Sequence, residues 1–219
     1  MKKYAILPLL AILLMAFGAC TDKSKQGTIV YDLEYTLPDS LRAYGPYLPK
    51  QATVYFKDDS VVSVQGMPEE NTTIITHQPS SYMMVLLKSA TQKFQINFAK
   101  AEQAQEIPDM SIYTFTKVAG SKTIAGYNAQ QYIMKNKTTG ESSDAWFTHD
   151  LAIPPSSLTM MFDAALGIPL TFQVNQNGFI TKTTLKQIKF EPIPAGALSI
   201  PAGYQKLTPE QLKNMPVGN

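Results

Sequence analysis

Along residues 27–37, apolar and polar side chains alternate, and this period of two constrains the fold more than any other feature. Ile29, Tyr31, Leu33, Tyr35 and Leu37 fall on one face. Thr28, Asp32, Glu34 and Thr36 fall on the other, joined only by Val30. Successive side chains of a strand point to opposite sides, so the segment predicts a half-buried strand. Pro38 stops it, and residues 38–42 read as the start of a short helical turn before a proline-punctuated loop over 44–49.

Short runs of the same kind fill most of the remaining chain. Residues 52–57 and 61–65 flank Asp58-Asp59-Ser60, a hairpin-like connection. Residues 72–77 come after the Gly66-Met67-Pro68 turn, and 82–88 form a continuous apolar run expected to be covered on both faces. Phe94, Ile96 and Phe98 alternate with Gln95 and Asn97. After a polar stretch over 100–109 come runs at 112–118, 130–135, 145–149 and 170–175. Asn177-Gly178 gives a hairpin signal before a last long strand over 179–190. These runs predict a mainly β chain of about 10–11 strands, mostly antiparallel because the connections are short.

Two helices are expected. Leu158, Met161, Phe162 and Ala165 have the i, i+3, i+4, i+7 spacing, with Ser157 as N-cap and Gly167 as C-cap. Inserted between strands, this helix over 158–166 is placed to cover the sheet's apolar face, which cannot stay wet. Thr208 with Gln211 makes a capping box for a C-terminal helix, with Pro209 at its first position. Gly126 and Gly203 suit turns with positive φ. No linker interrupts the chain after residue 26, so 27–219 reads as one domain.

The first residues carry an address. Met1-Lys2-Lys3 is a positive segment, and residues 4–17 are apolar but for Pro8. This run is shorter than the roughly 20 residues a membrane-spanning helix needs. Residues 1–19 therefore read as a secretory signal peptide. Phe17-Gly18-Ala19-Cys20 resembles a bacterial lipobox, with Phe17 where Leu is usual, and marks Cys20 for acylation. Cleavage after Ala16-Phe17-Gly18 is the alternative, and it leaves Cys20 a stray thiol in an oxidising compartment. Acyl chains on Cys20 would hold the protein to a membrane through the polar tether 20–26. That tether has no acidic run, which points to an outer-membrane location with either face open.

Composition narrows the chemistry. Of 219 residues, 44% are hydrophobic and 16% charged, against about 25% charged in an ordinary soluble domain. Removing Lys2 and Lys3 from the 19 cations balances the 17 anions. A neutral chain lacks the basic footprint of a nucleic-acid binder. The one cysteine excludes an internal disulfide, and His77 and His149 share no metal-ligand spacing, so no metal or cofactor is expected. His149-Asp150 lacks any nucleophile elbow beside it, and Asp32 with Glu34 reads as a solvated strand face rather than a catalytic pair. No enzymatic activity is expected. Asp39-Ser40-Leu41 and Asp59-Ser60-Val61 resemble the Asp-[Ser/Thr]-aliphatic sequon of Bacteroidetes O-glycosylation, marking Ser40 and Ser60.

A series of motifs in the second half carries a family resemblance. It runs Lys122-Thr123-Ile124-Ala125-Gly126-Tyr127, Gln131-Tyr132-Ile133, Ala145-Trp146-Phe147-Thr148, Gly167-Ile168-Pro169-Leu170 and Ile200-Pro201-Ala202-Gly203-Tyr204. It resembles uncharacterised Bacteroidetes lipoproteins that carry a domain of unknown function, related to the lipoprotein-carrier fold of LolA, LolB and RseB. The resemblance spans about residues 27–215. It implies a curved antiparallel sheet forming an incomplete barrel, with helices plugging its apolar side, and it carries over no catalytic residues.

The apolar surplus completes the expectation. Methionine adapts its shape to irregular apolar partners, and it recurs at 83–84 and 160–161. Met83, Val85, Leu87, Phe94, Ile96, Phe98, Trp146, Met161 and Phe162 are the expected lining of a cavity for a lipid, an acyl chain or another hydrophobic ligand. Ordinary core filling is the competing reading of the same residues. An envelope interaction or sensor module, with this fold, a filled core and a protein partner, is the alternative function. Intact mass of the protein from its native host should show acylated Cys20 and glycan increments at Ser40 and Ser60; an unmodified mass removes all three assignments.

Overall fold

The computed structural model describes residues 25–215. The signal peptide 1–19, Cys20 and most of the tether 20–26 lie outside the described residues. From the N-terminal side run strands β1 (Gln26–Thr36), β2 (Gln51–Lys57), β3 (Ser60–Gly66), β4 (Asn71–His77), β5 (Tyr82–Lys88) and β6 (Lys93–Phe98). Helix α1 (Lys100–Glu106) precedes β7 (Tyr113–Ile124), β8 (Tyr127–Asn136) and β9 (Ser142–Thr148). Then come β10 (Ile168–Gln176), β11 (Phe179–Lys189), β12 (Gln205–Leu207) and helix α2 (Pro209–Lys213).

The hairpins form where the turn chemistry calls for them. Asn177 and Gly178 both sit at positive φ (54° and 86°), as do Ala125 and Gly126 (49° and 89°). Turns of that kind match the right-handed twist of the strands they join. The capping box of α2 forms in both directions: Gln211 N–H donates to Thr208 Oγ1, and Thr208 N–H donates to Gln211 Oε1.

All twelve strands join one sheet in the order β12-β6-β5-β4-β3-β2-β1-β11-β10-β9-β8-β7. Every neighbouring pair is antiparallel except β12 with β6. The sheet is mixed and open, with β12 and β7 as its unpaired ends, and it holds more strands than the sequence predicts. It is also strongly bent. Phe94 on β6 and Phe172 on β10 line the same cleft, yet seven strand steps separate them, roughly 34 Å on a flat sheet. Register shifts at Val30/Tyr31 and Pro169/Thr171 each add one unpaired residue, and the shift at Lys117/Ser121 sets three residues against one; all deepen the local bend.

Directly opposed residues share a face, so the pairing identifies the inner side. Ile29 opposes Val54, and from there the row passes through Ser63, Ile74 and Val85 to Ile96. Ile29, Tyr31, Leu33, Ala52, Val54 and Phe56 are buried there. The apolar run of β5 is covered on both sides, as its sequence predicts. Met83 packs inward with Ile96 and Phe98, while Met84 and Leu86 pack outward against Leu198 and Tyr204 of the chain after β11.

The helix expected over 158–166 is absent. Thr159 and Met160 N–H groups both donate to Ser156 O, Phe162 N–H donates to Thr159 O, and a single 3-10 turn comes next at Ala164–Leu166. Asp163 breaks the helical pattern: its backbone is extended, and its carboxylate accepts from Ala165 N–H, starting a new turn. Ser157 caps nothing, and its Oγ is buried without a partner. The segment nonetheless covers the inner face. Ile153 and Leu158 pack on the β1–β2 cluster, and Phe162 meets Phe147 and Phe172 edge-on at 5.4 and 4.8 Å. Residues 39–47 form a 3-10 segment. Helix α1 stands where the sequence reads only as a polar stretch; Glu102 accepts from Ala99 N–H at its start, and the buried Gln103 amide donates to Ser81 O and Phe98 O.

Phe162→Ala removes the anchor of the covering segment and should lower stability by about 3 kcal/mol, read from urea unfolding. Burial pushes the Tyr31 phenol well above its ordinary value. Below about pH 10, both folded and unfolded states keep that proton; above it only the unfolded chain releases it, so stability falls as pH rises. Tyr31→Phe should flatten that alkaline loss, and an unchanged slope would refute the assignment.

Candidate functional site

At one end of the bent sheet, the inner face separates from its covering segment and leaves a cleft of about 1410 Å3, open to solvent. That exceeds the roughly 300–1,000 Å3 of ordinary small-molecule sites. Its walls are strand ends. Leu33 opposes Thr183, which opposes Phe172; Tyr35 opposes Thr181, which opposes Val174. On the far wall, Gln65 opposes Thr72, and Leu87 lies between Thr72 and Phe94. Ser157, Leu158 and Met161 of the covering segment close one side, and Leu212 and Met215 reach in from α2 and the residues after it.

The lining is apolar in its aromatic and aliphatic groups and polar in isolated hydroxyls and amides. Burial raises the pKa of Tyr35, so its phenol stays neutral, and its ring meets Phe179 edge-on at 5.7 Å. At the mouth, Lys88 Nζ donates to Pro68 O at 2.6 Å and lies 3.8 Å from Glu69. Asn71 Nδ2 donates to Met67 O and Pro68 O. These bonds tie down the β3–β4 turn at the rim. The wall is thus shaped for apolar contact, with few fixed charges deep inside.

Of the residues expected to line a cavity, Leu87, Phe94 and Met161 stand on this wall. Met83, Ile96 and Phe98 share their face but lie buried farther along β5 and β6, with Val85 packed beside them. Phe162 is buried in the aromatic cluster beneath the covering segment. Trp146 belongs to the β1–β2 cluster, with Lys122 Nζ 4.0 Å over its ring. Leu33, Tyr35, Phe172, Val174 and Phe179 join the wall without having been singled out by sequence reasoning. The sequence marks them as inward strand positions, and only their nearness to strand ends distinguishes them.

The other residues weighed for chemistry stay apart. Asp32 lies 3.5 Å from Lys186 and accepts from Gln51, and Glu34 lies 3.0 Å from Lys182. Partly exposed pairs of this kind contribute roughly 0–1 kcal/mol each. His77 bonds Ser80 in the turn after β4. Asp150 accepts from the Asn128 backbone and side-chain amides, while His149 is exposed. Among the described residues no group of three or more His, Cys, Asp and Glu gathers as a metal site. Ser40 is exposed in the 3-10 segment, and Ser60 is half-buried at the start of β3.

The model of the DUF4412 family, a domain of unknown function, matches residues 40–166, more than half of the chain, from the 3-10 segment through most of the covering segment. No curated protein matches the sequence. Among solved structures, the chain is similar to PNGF-II in its C2 crystal form, with a TM-score of 0.49 and 10% identity. The alignment covers 86% of this chain and 32% of PNGF-II, so the chain spans about a third of that protein's length.

Proposed function

The chain belongs to the DUF4412 family, a domain of unknown function, and we propose that it binds an acyl chain or another apolar ligand in the cleft. One observation carries the reading: a solvent-open space of about 1410 Å3 between the inner sheet face and its covering segment, walled by Leu33, Phe94, Phe172 and Met161. Burying some 300 Å2 of acyl surface supplies roughly 7 kcal/mol before the entropic losses of binding. No charged contact is needed for that gain. The neutral Tyr35 phenol and the threonine hydroxyls suit the polar end of such a ligand.

In this reading the protein is a non-enzymatic lipoprotein of the cell envelope, held at the outer membrane by acylated Cys20. On that reading its bent open sheet plays the part of the incomplete barrel of the LolA, LolB and RseB carriers, with the cleft as the place for lipid. The motif series over 122–204, of the Bacteroidetes lipoprotein type, and the lipobox-like Phe17-Gly18-Ala19-Cys20 support this. A protein-binding sensor with the same fold is the alternative, favoured by the filled interior around Met83, Ile96 and Phe98.

Native mass spectrometry of the full chain should show co-purifying lipid, and a fluorescent fatty acid should bind and be displaced by an unlabelled one. Leu158→Asp with Met161→Asp places charge on a half-exposed wall and should weaken that binding more than about tenfold, measured well below the variant's own thermal midpoint, with Phe162→Ala as the control that loosens the same segment without adding charge to the cleft. Absence of fatty-acid binding together with one defined crosslinked protein partner in cells would replace this function with the sensor reading.

A further inference from the structure

Three charged residues line the cleft: Lys50, Glu70 and Lys88. Lys88 is already held, donating to Pro68 O and lying 3.8 Å from Glu69. Lys93, opposite Lys88 in the β5–β6 ladder, is exposed and stands outside the lining. Glu70 belongs to the β3–β4 turn, where its backbone exchanges hydrogen bonds with Met67. Lys50 differs from all of these. Leu33 N–H donates to Lys50 O at 2.8 Å, which carries the β1–β2 register one residue past Asp32 and Gln51. Lys50 therefore stands opposite Leu33 and shares its inner face. Its ammonium makes no ion pair or hydrogen bond among the described residues.

We propose that Lys50 is the charge-selecting residue of the cleft: it holds the carboxylate of an acyl ligand, so the cleft takes fatty carboxylates in preference to uncharged or cationic amphiphiles of the same chain length. This assignment rests on the acyl-binding function proposed above. Uncharged donors stand beside the lysine. Thr183 opposes Leu33 from the other side of β1 and is 2% exposed, and Tyr35 with Thr181 forms the next pair along. None of the three hydroxyls bonds a protein group among the described residues. Burial keeps the Tyr35 phenol protonated, so it is a donor. Lys50 and Thr183 flank Leu33, roughly 10 Å apart at the backbone, a span that a flexible lysine side chain and a carboxylate bridge between them. A carboxylate has lone pairs enough to accept from the ammonium and from hydroxyls at once, and such charge-assisted bonds are the strong ones. One free ammonium matches one negative charge; a phosphate head brings more charge than Lys50 offsets and meets Glu70 on the same wall. The apolar wall then takes the chain, and the lysine decides which head accompanies it.

The test varies head charge at fixed chain length. The chain from residue 21 onward contains all twelve strands and leaves out residues 4–17 and Cys20, which offer lipid another home. Nile red bound to it is displaced at neutral pH by dodecanoate, dodecanol, dodecyl phosphate or dodecyltrimethylammonium, each below its micelle concentration. Dodecanoate should bind about tenfold tighter than dodecanol, with the ammonium amphiphile weakest, and raised sodium chloride should narrow that gap. Lys50→Met keeps the apolar stem without the charge; it should bring dodecanoate level with dodecanol and leave dodecanol unchanged. Lys50→Arg should retain the preference, Lys50→Glu should reverse it towards dodecyltrimethylammonium, and Lys88→Met should leave it in place. Equal binding of dodecanoate and dodecanol by the unmodified residue, or a preference lost in Lys88→Met and kept in Lys50→Met, overturns the proposal while acyl binding stands. Dodecyl phosphate binding tighter than dodecanoate overturns the carboxylate assignment. Displacement by none of the four amphiphiles removes the acyl-binding function itself, and this proposal with it.

Discussion

A sheet twelve strands wide that bends back on itself encloses more inner surface than its own side chains fill at both ends. At the end where β1 begins, Phe56, Val61, Met83 and Phe98 close the interior. At the other, Leu33, Leu87, Phe94 and Phe172 stand too far apart to meet, and a cleft remains. Both outcomes come from one alternating pattern on the same strands. The bend also dictates where cover is needed. The irregular segment after β9 and helix α2 lie over the inner face, and the stretch with Leu198 and Tyr204 lies over the outer face of β3–β5.

The covering segment is held differently from the sheet. Each strand has a ladder of backbone bonds to its neighbours, whereas residues 156–162 have only a few turn bonds around Ser156 and Thr159. Its attachment is therefore through side chains, chiefly Phe162 in the aromatic cluster. Segments with sparse backbone bonding open at lower free energy than the elements they rest on. The cleft wall formed by Leu158 and Met161 is thus the adaptable side of the site, and the strand ends opposite it are the rigid side.

The strands are legible in the sequence because their period and turn chemistry agree. The 27–37 alternation and the Asn177-Gly178 turn are local signals, and both appear as read. The failures have physical reasons. The spacing of Leu158, Met161, Phe162 and Ala165 imitates a helix, but Asp163 offers its carboxylate to Ala165 and the chain turns instead. Helix α1 has no apolar stripe to show, because its one buried side chain is Gln103, satisfied by distant carbonyls. Strand β12 is three residues long and pairs in parallel with a strand more than a hundred residues earlier. For the cleft, period two identifies a face but not a depth. Met83, Leu87 and Phe94 share one side of the sheet, yet only the latter two reach the open end.

The pairing of β1 with both β2 and β11 has a consequence for chain assembly. Strands β2 to β6 emerge right after β1 and can zip onto it in order, but its second partner is made some 140 residues later. Until then one edge of β1 stays unsatisfied, beside apolar side chains that invite wrong pairing. Phe179, Thr181 and Thr183 of that late strand are also part of the cleft wall. The cleft therefore comes into being only when the last long strand docks, and a nascent chain halted before residue 179 carries a sticky margin and no cavity.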